Sequence, residues 1–317
     1  MTRRGSRTLI QICAYLAFVT VAIGREHCDK TKCPGPLPYY KDLNCIPVYE
    51  KEGDCCATKY NCDHLKKRSH NKCYVNGKEY EIGEKLKDED ANPCDVGCIC
   101  IGSTDGIASF RCAEVDCPTF EPARAGCYRK NSALSCCPGE EVCSKRSRDI
   151  PTCIVNGKKY RDGERFEVEG EPDLRCVCQS GYKGKNVEPF CAKPKHPYCS
   201  PDFRGAYEVF NNCTPVFYLA EKLSTCNIFF RCQNRLDKVL HKENLKSADK
   251  NSNDKDVCYF GNLIMRRGDE LNRDTAYESA CVKCTCEVPP VPTCYRLPND
   301  KCKVINPRSF RQPIPYT

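Results

Sequence analysis

Thirty-one of the 317 residues are cysteine. At that density a chain is held together by disulfides rather than by one large core. Cysteine also inflates the hydrophobic share of 40%; without it only roughly 30% of the chain is apolar. There is no tryptophan, and 29% of the residues are charged. Several small modules, each too poor in apolar mass to fold unaided, fit these figures better than a single domain. A reducing cytosol would leave the thiols free, which excludes the ordinary cytosolic enzyme.

The first segment agrees with an oxidising compartment. Arg3, Arg4 and Arg7 precede a mostly apolar run from Leu9 to Ile23, broken only at Gln11. Ala22-Ile23-Gly24 places small residues where a signal peptidase reads them, so residues 1–24 are expected to be a secretory signal peptide. Cys13 leaves with it, and the 30 cysteines that remain are an even number, as a closed disulfide set requires. Losing three arginines lowers the formal charge from +8 to +5. That balance permits contact with acidic glycans such as heparan sulfate without demanding it, and it points to no nucleic-acid partner. No later stretch approaches the ~20 apolar residues of a spanning helix. The expected location is therefore extracellular.

The chain repeats itself. Cys73-Tyr-Val-Asn-Gly-Lys-Glu-Tyr-Glu-Ile-Gly-Glu occupies 73–84, and Cys153-Ile-Val-Asn-Gly-Lys-Lys-Tyr-Arg-Asp-Gly-Glu occupies 153–164. A looser third copy opens at Cys258, with Gly261, Ile264 in place of the tyrosine, and Gly268-Asp269-Glu270. Each opening is followed by a tight cluster: Cys94, Cys98 and Cys100; then Cys176 and Cys178; then Cys281, Cys284 and Cys286. A vicinal pair with one further cysteine, Cys136-Cys137 and Cys143, repeats Cys55-Cys56 and Cys62. Cys112 and Cys117-Pro118 echo Cys28 and Cys33-Pro34.

These motifs resemble the von Willebrand factor type C module, which opens Cys…Gly…Tyr…Gly-Glu and closes on a Cys-Cys pair and a last cysteine. The likeness covers essentially the whole mature chain. It implies a partial module at 25–62, a complete one at 73–143, an eight-cysteine one at 153–232 and a partial one at 258–302. There are departures. The first cluster is one residue longer than the family's Cys-x-x-Cys-x-Cys, and the gap after Cys137 is longer than usual. The aromatic expected after the Gly-Glu is Leu86, Phe166 and Leu271 in the three copies. The fold implied is small, disulfide-rich and mostly β, with tandem modules in an elongated arrangement.

The second copy lacks two cysteines together: Pro172 stands at the Cys94 position and Thr225 at the Cys136 position. Joint loss is expected of two residues that bond each other. The family pairing implies the bridges Cys73–Cys100, Cys94–Cys136, Cys98–Cys112, Cys117–Cys137 and Cys127–Cys143. For the second copy it implies Cys153–Cys178, Cys176–Cys191, Cys199–Cys226 and Cys213–Cys232. Register gives Cys33–Cys56 and Cys45–Cys62 at the start, leaving Cys28 with Cys55. It gives Cys258–Cys286 and Cys284–Cys294 at the end, leaving Cys281 with Cys302.

Locally, Cys73–Tyr80 and Glu84–Leu86 alternate around Gly83 and suit a small hairpin, repeated at 153–168. The second half of each module, rich in Pro, Gly and charge, is expected to hold little regular structure. The cysteine-free stretch 233–257 reads as a flexible linker and 303–317 as a disordered tail.

No catalytic constellation is visible. The five histidines (27, 64, 70, 196, 241) sit in no nucleophile motif, with His64 and His70 expected to be solvated. Gly181-Tyr182-Lys183-Gly184 lacks the strand–helix frame of a phosphate loop. Clustered cysteines suit zinc in principle, but the even count in a secreted chain favours bridges. No enzyme activity, metal or cofactor is expected. Asn212-Cys213-Thr214 is a glycosylation sequon on Asn212. Lys66-Lys67-Arg68 and Lys145-Arg146 fall in equivalent linkers, read as soluble spacers, protease sites or heparan sulfate contacts. Phe217-Tyr218 and Phe229-Phe230 either complete a core or form a recognition patch.

The resemblance implies an extracellular protein-binding factor. The best-known use of such modules, in chordin-like proteins, is capture of dimeric growth factors of the bone morphogenetic protein class. The hairpin from Tyr74 to Leu86 is the surface expected to meet the partner. Alternatives are an extracellular matrix component, a secreted immune-response factor like the single-module type C proteins of arthropods, and a protease inhibitor.

Overall fold

The computed structural model describes residues 28–117, 123–144, 150–171, 173–197, 199–218, 226–241, 256–273, 275–298 and 302. The expected signal peptide, Pro172, Thr225, Lys145-Arg146, most of the expected linker and the tail 303–317 lie outside the described residues.

Small antiparallel sheets dominate, as the resemblance implies. The first piece holds a short helix α1 (Leu37–Asp42) and a ribbon of β1 (Ile46–Val48) with β2 (Lys59–Asn61). The next opens with the hairpin β3 (Lys72–Val75) and β4 (Lys78–Glu81), then β5 (Val96–Ile101) with β6 (Ser109–Ala113). A ribbon of β7 (Cys127–Arg129) and β8 (Glu141–Cys143) closes it. The second copy repeats the hairpin as β9 (Thr152–Val155) and β10 (Lys158–Arg161). Then come β11 (Arg165–Phe166), β12 (Arg175–Val177) and β13 (Cys191–Ala192). Its later half carries helices α2 (Pro201–Arg204) and α3 (Ala206–Phe210) and strands β14 (Thr214–Tyr218), β15 (Phe229–Arg231) and β16 (Val239–Leu240). The last piece contributes β17 (Val257–Phe260), β18 (Leu263–Arg266), β19 (Glu270–Leu271), β20 (Val282–Thr285) and β21 (Thr293–Arg296).

Turn chemistry sets the hairpins. Asn76-Gly77 and Asn156-Gly157 both take positive φ, 48° and 77° in the first and 49° and 78° in the second. That is the two-residue turn whose twist matches the flanking strands, and asparagine followed by glycine is its preferred sequence. The reversal is therefore at Asn76-Gly77 rather than at Gly83. After Gly83 the chain runs alongside β5 instead: Leu86 N donates to Cys98 O and Cys100 N to Glu84 O, both at 2.9 Å.

Two expectations need correction. The later halves of the modules are more regular than their Pro and Gly content suggests, because each bridge clamps a short ribbon or brackets a proline-started helix. More important, the pieces do not all keep separate cores. Strands β14 and β21 pair in parallel, Val216 opposite Cys294, and build one six-stranded sheet in the order β15-β14-β21-β20-β19-β16. The second copy and the last piece thus share a core in which Val216, Phe260, Met265, Val282 and Cys284 are buried. Within the expected linker, Val239 and Leu240 belong to that sheet as β16.

Two further docks cross the chain. Phe203 on α2 is buried among Val75, Tyr80, Leu86 and Phe110 of the complete module. Between the first and last pieces, Tyr39, Tyr40 and Leu43 of α1 and its C-cap pack with Val288. Tyr40 Oη donates to Val288 O at 2.6 Å and accepts from Val291 N at 2.9 Å. Tyr60 N donates to Pro289 O at 2.8 Å. Gly35, at φ +101°, lies so close that an added Cβ would stand 3.0 Å from that of Val288.

Charge is concentrated where the pieces meet. His196 Nε2 lies 2.8 Å from Asp95, both side chains almost fully buried, and Arg204 reaches the other carboxylate oxygen at 3.1 Å. Burial pushes the Asp95 carboxyl up, but the bonds from His196 and Asn92, with the Arg204 charge, outweigh it and hold the group below the usual carboxylate range. Asp42, at the end of α1, lacks such compensation. Burial raises it to about 6, opposed by Lys41 and reinforced by Asp173 and Asp202.

Because the folded pKa of Asp42 is raised, its favourable contribution is complete below pH ~4 and is lost as pH climbs through about 6. Asp42→Asn should therefore stabilise the chain by about 1–3 kcal/mol at pH 7.5 and leave it unchanged near pH 3.5. Urea midpoints at the two pH values, with the bridges intact, check this.

Candidate protein-binding surface

The hairpin from Tyr74 to Leu86 is less available than the sequence implies. Tyr74, Val75, Tyr80 and Leu86 are all buried. Val75, Tyr80 and Leu86 face inward onto Phe110 and Phe203, while Tyr74, on the opposite face of β3, is covered by Arg68 and Ser69. Tyr80 is pinned: its Oη donates to Asp90 at 2.5 Å, and Lys78 pairs with the same carboxylate at 2.5 Å. Burial first, then the Asp90 contact, pushes the Tyr80 hydroxyl up to about 12.

What the complete module offers a partner is a smaller patch beside the hairpin. Ile82 is 52% exposed and Ile101 37% exposed. Gly102, the neighbour of Ile101 in sequence, lies against Ile82: a Cβ there would stand 3.4 Å from Ile82 Cδ1. Lys72 bridges Glu79 at 3.1 Å and Glu81 at 2.9 Å on the neighbouring strand. An apolar centre with a charged, solvated rim is the anatomy of a modest protein-recognition site. Among the aromatics weighed as a recognition patch, Phe217 is buried, and Phe229 and Phe230 pack against cores. Only Tyr218 stands out to solvent, at 43%. The aromatic run is thus mostly core.

The cysteines that hold this surface are all engaged among the described residues. The first piece has Cys28–Cys55, Cys33–Cys56 and Cys45–Cys62. The complete module has Cys73–Cys100, Cys94–Cys136, Cys98–Cys112, Cys117–Cys137 and Cys127–Cys143. The second copy has Cys153–Cys178, Cys176–Cys191, Cys199–Cys226 and Cys213–Cys232. The last piece has Cys258–Cys286, Cys281–Cys302 and Cys284–Cys294. Sulfurs crowd at the vicinal pairs, where Cys33 meets Cys55 and Cys56, and Cys117 meets Cys136 and Cys137. Each of these six is bridged, and a bridged sulfur is not the thiolate that zinc requires.

The remaining candidates separate. Asn212 is exposed, with its amide donating to Gly261 O at 3.4 Å and its neighbour Cys213 bridged. His64 lies 2.8 Å from Leu43 O through Nε2, and His70 packs edge-on against Phe210, so both make contacts that a solvated linker would not. Arg68 is not a free linker cation: it forms a buried pair with Asp202. Neither that pair nor the burial of His196 has a local signal in the sequence, because the partners lie 134 and 101 residues away.

Comparison with known proteins is consistent with this architecture. A mouse protein named von Willebrand factor C and EGF domain-containing protein is 26% identical over 182 residues, 56% of this chain. The match spans only 15% of that relative's length. No family model matches the chain, and no solved structure matches it. The likeness supports a type C-like family and, with the many disulfides, fits an extracellular protein. No helix among the described residues is long and apolar enough to cross a membrane.

Cys94 and Cys136 form the bridge that the second copy does without. Replacing both by alanine should leave a folded chain destabilised by about 2–4 kcal/mol. Replacing either alone should add a free thiol and disulfide-linked oligomers. Thiol titration and non-reducing gels of the three variants check this.

Proposed function

We propose that the mature chain is a secreted protein-binding factor that engages an extracellular ligand through the complete module at 73–143. The observation that carries this reading is the combination of a repeated cysteine framework with a 182-residue likeness to a protein named for its type C domains. The finer reading is an extracellular modulator that captures a dimeric growth factor of the bone morphogenetic protein class. It rests on the resemblance to chordin-like proteins and is supported by the exposed Ile82–Ile101 patch. A bridged module presents such a patch with little entropy left to lose on binding. The same reading has the chain enter the secretory pathway through residues 1–24 and carry a glycan on Asn212. Heparan sulfate is a secondary partner, drawn by the positive net charge. Catalysis has no part in it.

Surface plasmon resonance over a panel of dimeric growth factors should show binding to at least one. Ile82→Asp combined with Ile101→Asp should weaken it about ten-fold or more, as loss of a hot-spot centre does. Silence across the panel, with strong self-association or retention on heparin, would move the chain to the matrix class.

A further inference from the structure

Of the two Lys-Arg pairs weighed above, Lys67-Arg68 lies among the described residues, and its surroundings are unusual for a linker. The Arg68 guanidinium forks onto Asp202, Nη1 to Oδ1 at 2.5 Å and Nη2 to Oδ2 at 3.0 Å. The two side chains are 10% and 1% exposed. The guanidinium also lies over the Tyr74 ring, 4.6 Å from its centre. The peptide bond after Arg68 is held as well, since Ser69 N donates to Tyr74 Oη at 2.7 Å. Upstream, Leu65–Lys67 is wound into a turn of 3-10 helix closed by Arg68 N on Leu65 O at 3.2 Å. Lys66 and Lys67 stay exposed.

A serine protease that cuts after basic residues draws the cation into a pocket floored by a carboxylate and reads its neighbours as an extended strand. Here Asp202 occupies the cation in place of that pocket, Tyr74 occupies the scissile amide, and the 3-10 turn removes the strand. The covalent consequence of a cut at this point is large. The first three bridges close within 28–62 and the next begins at Cys73, so no bridge crosses Arg68.

We propose that Arg68–Ser69 is a latent processing site for a basic-residue-specific serine protease, latched shut by Asp202 and Tyr74. Hydrolysis adds one water across the amide, leaving a carboxylate on Arg68 and an ammonium on Ser69. The piece 28–62 is then held only by its non-covalent dock. Its departure uncovers Val288 and Phe230, which now cover Tyr39 and Tyr40. This regulation is independent of which ligand the complete module binds.

The test uses a subtilisin-like endoprotease specific for Lys-Arg, a synthetic peptide spanning Asp63 to Asn71, and the full secreted chain as wild type, Asp202→Asn and Tyr74→Phe. The peptide should be cut after Arg68. The wild-type chain should be cut there about ten-fold more slowly or worse, since the bond must first open locally. Asp202→Asn should restore a rate near that of the peptide, and Tyr74→Phe, which keeps the ring but frees Ser69 N, should give an intermediate rate. The cut piece should separate without reductant. Should Asp202→Asn lose the native bridge pattern, Tyr74→Phe alone decides. A resistant peptide, a wild-type chain cut as fast as the peptide, or no acceleration in a correctly bridged variant would each overturn the proposal.

Discussion

Tyr40 sits beneath the turn that carries Val288 and Val291, accepting from one backbone group and donating to the other. That contact joins residues 248 and more positions apart. It matters because nothing covalent does the same work: every bridge closes inside 28–62, 73–143, 153–232 or 258–302. The disulfides make each piece stiff, and the docks decide how the pieces lie together. Bridges restrict the unfolded chain and need no partner. Docks stabilise only by removing apolar area from water and satisfying buried polar groups.

The docks share a pattern. A later half-module seats a proline-started helix on an earlier-type half that is not its sequence neighbour. Helix α1 does this on the last piece, and α2 does it on the complete module. The second half of the complete module turns the other way and meets the second copy: Tyr128 Oη donates to Asp162 at 2.9 Å, and Asn131 Nδ2 to Gly163 O at 2.9 Å. Buried polar pairs then fix the register of these contacts. Such pairs contribute little net stability once desolvation is counted, but a misplaced dock would leave the Arg68 guanidinium or the Asp202 or Asp95 carboxylate buried without its partner.

Much of the local architecture was legible in the sequence, and for local reasons. Cysteine spacing, the repeated Gly-Glu and the alternation of β3 and β4 are short-range signals. The turn was legible too, at Asn76-Gly77, although Gly83 draws the eye because it is repeated in every copy. The docks were not legible. Helices α1 and α2 have six and four residues, too short for any hydrophobic period to mark the face they bury. Tyr40 and Phe203 therefore look like ordinary aromatics of polar loops. The same blindness explains the hairpin at Tyr74: alternation gives the buried face, but not that α2 covers it. Modules read one by one consequently imply separate cores, and long-range packing overrides that expectation.

Zero-length cross-linking of the monomer is the most direct measurement of the claim that the first and last pieces of one chain are docked. Lys59 Nζ lies 2.7 Å from Asp256, close enough for a carbodiimide to join them without a spacer. Lys66 and Asp63, 2.8 Å apart within one turn, provide the local control. A Lys59–Asp256 linked peptide is expected in the monomer fraction at a yield comparable to the control. Recovery of the control alone, or of the long-range link only in oligomers, would contradict it.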